Sequence, residues 1–127
     1  MKSVGWIDLA VPDADGLRDF YAAVMGWTPS PVSMGSYDDW SMLDSSGEAA
    51  AGVCHASGPN ADLPPVWIPY FRVDDIDVSA ARVVELGGSL LRPVSEPSSW
   101  GRNCFVKDPA GVVCALFEVG PDYDPGT

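Results

Sequence analysis

Ile7, Leu9 and Val11 alternate with Trp6, Asp8 and Ala10, the period-two pattern of a strand with one buried face. From Asp13 the period lengthens. Leu17, Phe20, Tyr21 and Val24 recur at helical spacing, with Asp13 placed to cap the helix N-terminus. Gly26 fits the left-handed residue that ends such a helix, and Trp27 the apolar contact just beyond it. Short strands are predicted at residues 31–33, 37–43 and 49–55, the last two joined by the turn Asp44-Ser45-Ser46-Gly47.

The second half repeats the first. Trp67-Ile68-Pro69-Tyr70-Phe71-Arg72-Val73 reads as a strand, and residues 76–86 as a helix capped by Asp74 or Asp75 and stopped by Gly87-Gly88. Strands follow near 89–93, 102–106 and 112–119, with Asp108-Pro109-Ala110-Gly111 as the matching turn. Asp13 to Gly26 and Asp74 to Gly87 span the same distance. The chain is therefore expected to be α+β, with two tandem βαβββ units. Unit one takes residues 1–57, a Pro-rich linker 58–65, unit two 66–120, and a tail 121–127. One helix on one sheet covers a single face, so the other face of each unit needs cover from elsewhere.

Composition narrows the function. Of 127 residues, 7 are Lys or Arg and 18 are Asp or Glu, giving a formal charge of −11. Such a surface repels phosphate backbones and anionic lipid, so neither nucleic acid nor membrane is the expected partner. No run approaches a membrane span and the start carries no long apolar leader, which points to the cytoplasm. Cys54, Cys104 and Cys114 sit among apolar neighbours without a C-x-x-C pair, and are expected as reduced, buried thiols. There is no G-x-S-x-G, P-loop or dinucleotide motif.

Taken together, the stretch Trp6 to Asp13, Phe20-Tyr21 with Gly26-Trp27, Val73-Asp74-Asp75-Ile76-Asp77, Glu85-Leu86-Gly87-Gly88, and Gly101-Arg102 leading into Asp108-Pro109-Ala110-Gly111 resemble the vicinal oxygen chelate superfamily. This is the glyoxalase/bleomycin-resistance/dioxygenase fold. The resemblance covers almost the whole chain and implies a cup-shaped mixed sheet holding the site, often completed by a homodimer. It places divalent-metal ligands on the first strand of each unit and four residues after each turn glycine. Those positions here are Trp6, Ile68, Ala51 and Ala115, none of which has a donor for a metal. The expectation is a site without a cofactor, a divalent metal being the alternative.

Alternation sorts the rest of the site. Trp6, Asp8 and Ala10 are expected to face inward, with Ile68, Tyr70 and Arg72 from the second unit. The last strands are expected to contribute Ala51, Val53 and His55, and Val113, Ala115 and Phe117. Asp8 interrupts an apolar strand, so it either pairs with Arg72 or waits for a ligand. Asp8, His55 and Tyr70 are the candidate proton-transfer groups. Trp6, Asp8, His55, Tyr70, Arg72, Trp100, Arg102 and Phe117 are the candidate ligand contacts, Trp100 as a rim lid. Each also has a structural reading: a hydrogen-bonded strand-end histidine for His55, core packing for the aromatics. The leading function is metal-independent binding of an aromatic or cationic small molecule, such as sequestration of an antibiotic or metabolite. The alternative is an enzyme, a lyase, isomerase or dioxygenase-like protein, using Asp8, His55 and Tyr70 or an atypical metal site.

Overall fold

The computed structural model describes residues 4–123. The first three residues of the expected unit 1–57, and residues 124–127 of the expected tail, lie outside it. Its elements run β1 (Val4–Val11), α1 (Ala14–Met25), β2 (Thr28–Ser33), β3 (Asp38–Leu43), β4 (Ala49–His55), β5 (Ile68–Arg72), α2 (Ile76–Glu85), β6 (Ser89–Arg92), β7 (Gly101–Lys107) and β8 (Val113–Val119). The class is α+β, as the sequence pattern indicates. Two compact units emerge, residues 6–67 and residues 68–123 with Val4 and Gly5.

In the first unit β2–β3 and β3–β4 are antiparallel and β4–β1 is parallel. In the second, β6–β7 and β7–β8 are antiparallel and β8–β5 is parallel. The repeat read from the sequence is thus a repeat of strand pairing.

Both helices start and stop by local chemistry. The Asp13 carboxylate accepts from the Gly16 amide at 3.0 Å, and Asp75, rather than Asp74, accepts from Val78 at 3.2 Å. Gly26 ends α1 at φ 72°, and Gly87 follows α2 at φ 98°, conformations that cost a side-chain-bearing residue energy. The α2 N-terminus has a second acceptor, since Glu118 Oε1 takes the Ile76 amide at 3.1 Å.

Each helix covers one face of its own unit. Beneath α1 lie Leu9, Met42 and Val53, packed with Ala14 and bordered by Val11, Leu17, Tyr21 and Trp27. Beneath α2 lie Cys104 and Val106 with Ile76 and Ala80, bordered by Cys114 and Leu116. Burying each large side chain contributes about 1.5–3 kcal/mol.

The element ends differ from the expected ones by a few residues, and one difference has a cause. Trp67 is not in β5. Its indole donates to the Tyr21 hydroxyl at 3.2 Å and its ring meets Tyr21 edge-on at 5.1 Å, so it belongs to the unit of α1. An aromatic pair outbids a strand position for it.

Candidate functional site

Pair register decides which residues share a face. In β1 and β4, Asp8 stands opposite Gly52, Ala10 opposite Cys54 and Val11 opposite His55. Trp6 and Asp8 are on one face, the indole Nε1 donating to Asp8 Oδ2 at 3.3 Å. Gly52 is the floor between them. A Cβ there would come within 2.9 Å of Asp8 Cβ and 3.4 Å of Trp6 Cζ2. Glycine lets the indole and the carboxylate lie against the backbone on the face that α1 does not cover.

The expected inward set Ala51, Val53 and His55 is therefore corrected. Val53 packs with Leu9 under α1, and Ala51 and His55 share its side of β4. The slip has a definite source. Met42 pairs with Ala51 but Leu43 with Ala49, so Ala50 is an extra residue at a β-bulge. Counting four from Gly47 consequently lands on the wrong face. By register the partner of Ala115 in the repeat is Gly52, opposite Asp8 as Ala115 is opposite Tyr70.

His55 does not join Asp8. It sits at the α1 side, its Nδ1 3.3 Å from Asp39 Oδ1 and its Nε2 3.9 Å from Asp15 Oδ1, with the Tyr37 ring edge-on at 5.1 Å. The same Asp39 oxygen accepts the His55 amide at 2.8 Å. Asp39 is the buried charged residue among the described residues, 6% exposed. It was not singled out from the sequence, where Asp38-Asp39 looks like an ordinary polar strand start. Trp40 also lies on the helix side, bonded to Asp15 at 2.9 Å and capped by Arg18 at 4.5 Å.

Cys54 shares the Asp8 side of β4. Burial first, then the Asp8 and Asp39 charges and an Asp39 hydrogen bond, push its thiol far above the ordinary range. It is a proton-bearing neighbour, not a nucleophile.

In the second unit the face assignment agrees with expectation. Tyr70, Arg72, Ala115 and Phe117 pair across β5 and β8 on the side away from α2. Tyr70 meets Phe105 edge-on at 5.5 Å, and Arg92 lies over that ring at 4.7 Å. Phe117 packs with Tyr123 at 5.8 Å and over Gly5, where any Cβ would strike the ring, while Arg72 lies 5.8 Å over Tyr123. Phe105 and Tyr123 were not foreseen, because ring contacts across strands have no signature along the chain. Arg102 stands elsewhere, on the α2 side, bonded to Asp77 at 3.0 Å and Glu118 at 3.3 Å. Trp100 is 65% exposed in the turn before β7. A groove of about 420 Å³ between α2 and its sheet, lined by Val73, Val83, Val106 and Leu116, is on the face opposite Tyr70 and Phe117.

The metal positions implied by the resemblance do not fit a metal. Trp6, Ile68, Ala115 and either Ala51 or its register counterpart Gly52 carry no ligating atom suited to a divalent ion. Among the described residues no group of three His, Cys, Asp or Glu converges.

Comparison with known proteins adds the lineage. The chain is 33% identical over 118 residues to CFP32 of Mycobacterium tuberculosis, which carries a glyoxylase designation, an alignment taking in 89% of this chain and 44% of that protein. It is 31% identical over 127 residues to the anthracycline biosynthesis protein DnrV of Streptomyces peucetius, covering 91% of this chain and 46% of that one. The chain thus spans less than half the length of these relatives. Among solved structures, methylmalonyl-CoA epimerase from Mycobacterium tuberculosis superposes with a TM-score of 0.58 at 21% identity, over 94% of this chain and 89% of that chain. The 2,2',3-trihydroxybiphenyl 1,2-dioxygenase of Sphingomonas wittichii strain RW1 does so with a TM-score of 0.58 at 19% identity, over 92% of this chain and 42% of that chain. These two establish the fold alone. The model of the glyoxalase-like domain matches residues 6–117, and the chain belongs to that family, within the vicinal oxygen chelate superfamily.

Proposed function

We propose that this chain binds a small planar aromatic cation without a metal, and that the Trp6–Asp8 pair over Gly52 is the contact that selects it. The observation carrying this reading is that pair: an indole and a carboxylate side by side on a helix-free sheet face, with no side chain between them and the floor. Stacking on an indole contributes about 0.5–2 kcal/mol, and a charged contact roughly 1.5–3 kcal/mol. The overall charge of −11 adds long-range attraction for cations. In this reading Tyr70, Arg72 and Phe117 line the corresponding face of the second unit, and Trp100 is the mobile rim residue. In this reading the protein is a cytoplasmic homodimer with a two-fold, isologous interface. Sequestration of an antibiotic or metabolite is the role this chemistry serves. Catalysis by Asp8, His55 and Tyr70 has less support, since Asp8 and His55 lie on opposite faces of the same strand pair.

The test compares two ligands of one shape. N-methylacridinium carries a permanent charge, and acridine at pH 8 carries none. Tryptophan quenching should report binding of both, the cation more tightly. Asp8→Asn should weaken the cation about tenfold and leave acridine unchanged. Equal losses for both ligands, or no binding of the cation, would defeat the proposal.

A further inference from the structure

The two units fill the space between helix and sheet differently. Aligning the left-handed glycines at the helix ends, Gly26 and Gly87, sets Tyr21 against Arg82 and Trp27 against Gly88. Aligning the turns at Asp44 and Asp108, which carry the same backbone hydrogen bonds, sets Met42 against Val106. In the first unit these positions close the space. Met42 is fully buried, and the rings of Tyr21, Trp27 and Trp67 pack on the same core with centroids 5.1 to 6.5 Å apart. In the second unit each counterpart leaves room. Val106 is shorter than methionine, Gly88 has no side chain, and Arg82 is exposed in an ion pair with Glu85 at 3.2 Å. What remains is the groove of about 420 Å³ under α2. Small-molecule pockets run to about 300–1,000 Å³. The second unit cannot close it as the first does, because a Cβ at Gly88 would come within 2.7 Å of the Lys107 carbonyl oxygen and 2.9 Å of Val83 Cγ1.

We propose that this groove is a second binding site, for an uncharged planar aromatic molecule with a hydroxyl group, whose rings take the place that Tyr21 and Trp27 fill in the first unit. It is independent of the Trp6–Asp8 reading, since it lies on the face that α2 covers. The lining sets the chemistry of the occupant. Val73, Val83, Val106 and Leu116 offer apolar walls to a flat ring. The charged groups of the lining are of opposite sign, Arg82 and Asp108. Asp108 Oδ1 takes the Ala110 and Val112 amides at 2.8 and 3.0 Å, and Glu85 stands beside Arg82. A cationic ligand would meet Arg82 and an anionic one Asp108 and Glu85, and either would lose water among apolar side chains. A hydroxyl both accepts and donates, so Arg82 and Asp108 each suit it without a net charge being buried. The first unit holds such a group in Tyr21, whose hydroxyl accepts from the Trp67 indole at 3.2 Å.

The experiment titrates 2-naphthol, uncharged at neutral pH, into the full chain and follows the amide NMR signals of Leu86, Gly88 and Val106. These should shift together and saturate. Val106→Met sets the first unit's residue into the groove and should weaken binding about tenfold, the effect of an added group in an apolar pocket, without lowering the melting temperature. Ser79→Phe, which fills the groove from the helix side, should abolish saturation. Naphthalene-2-carboxylate, of the same ring size, should bind at least about tenfold more weakly because its charge must be buried. Absence of shifts at the three amides overturns the proposal. So does an affinity unchanged in both variants, or a carboxylate that binds as well as the naphthol. None of these results touches the Trp6–Asp8 reading, which is followed by tryptophan quenching, since no tryptophan lines the groove.

Discussion

Gly52 lies directly across from Asp8 in the parallel pair of β4 and β1, and it is the absence of a side chain there that lets Asp8 and the Trp6 indole share one floor. Gly52→Ala forces a Cβ to 2.9 Å from Asp8 Cβ, so backbone or carboxylate must shift. Overpacking of this kind costs typically 1–3 kcal/mol. Chemical denaturation should show a lower midpoint. Fluorescence titration should show weaker binding of the charged and the uncharged acridine alike, which separates this steric effect from the charge effect of Asp8→Asn.

Gly26 and Gly87 make a plainer case. Their Cβ positions are open, with nothing within 4 Å of Gly26 and only Pro109 atoms at 3.8 and 4.0 Å from Gly87, so alanine meets backbone strain and no clash. At φ 72° and 98° each alanine should cost about 1 kcal/mol, read as a lower urea midpoint with the slope unchanged. An unchanged midpoint in both variants would contradict the two helix ends.

How much of this was legible along the chain depends on the range of the interaction. Asp13, Gly26 and Gly87 were readable because a cap is satisfied within four residues, and for α2 the same logic narrowed the cap to Asp74 or Asp75. The faces of β5 and β8 were readable because their pairing is regular. The face of β4 was not, because the bulge at Ala50 is a property of its pairing with β3 and leaves no mark in the run Ala49-Ala50-Ala51-Gly52. The same reason hid Asp39, whose role needs β4 beside it, and sent Trp67 from a strand to Tyr21. Arg102 looked like a site cation because it follows a rim loop. Its two carboxylate partners are 25 and 16 residues away in sequence.

That placement of Arg102 leads to its own test. Glu118 caps α2 through Ile76 and is held by Arg102, which Asp77 grips from the helix's first turn. Glu118→Ala should cost about 1 kcal/mol, the usual cost of a lost helix cap. Arg102→Met should lower stability in the same direction and leave ligand affinity unaltered. Loss of acridinium binding in Arg102→Met, with stability intact, would restore it to the binding surface.

The metal question is settled by a thermal shift. With Trp6, Gly52, Ile68 and Ala115 at the positions where a metal would be held, added Zn²⁺ or Ni²⁺ should leave the melting temperature where it is. An ion bound to the native state at a hundred times its dissociation constant would add about 2.7 kcal/mol. A rise of that size, lost in Asp8→Asn, would place a metal at this site.

The three cysteines tie stability to pH at the alkaline end. Burial raises all three thiols; Asp8 and Asp39 add to it at Cys54, the charge of Asp108 at Cys114, and Cys114 itself at Cys104. A thiol raised in the folded protein ionises more easily once unfolded. Its contribution to stability is therefore complete below the ordinary thiol range and declines as pH climbs above it, toward the folded value. The urea midpoint should fall between pH 8 and 10, and Cys54→Ser should reduce that fall, because its hydroxyl does not ionise there and can still donate to Asp39. Reaction with a disulfide reagent at pH 8 should be slow in the native chain and fast in urea, since only the thiolate attacks. Rapid labelling of native Cys54 would mean that its thiol is ionised despite its burial and the neighbouring Asp8 and Asp39 charges, and the upward shift would fail with it.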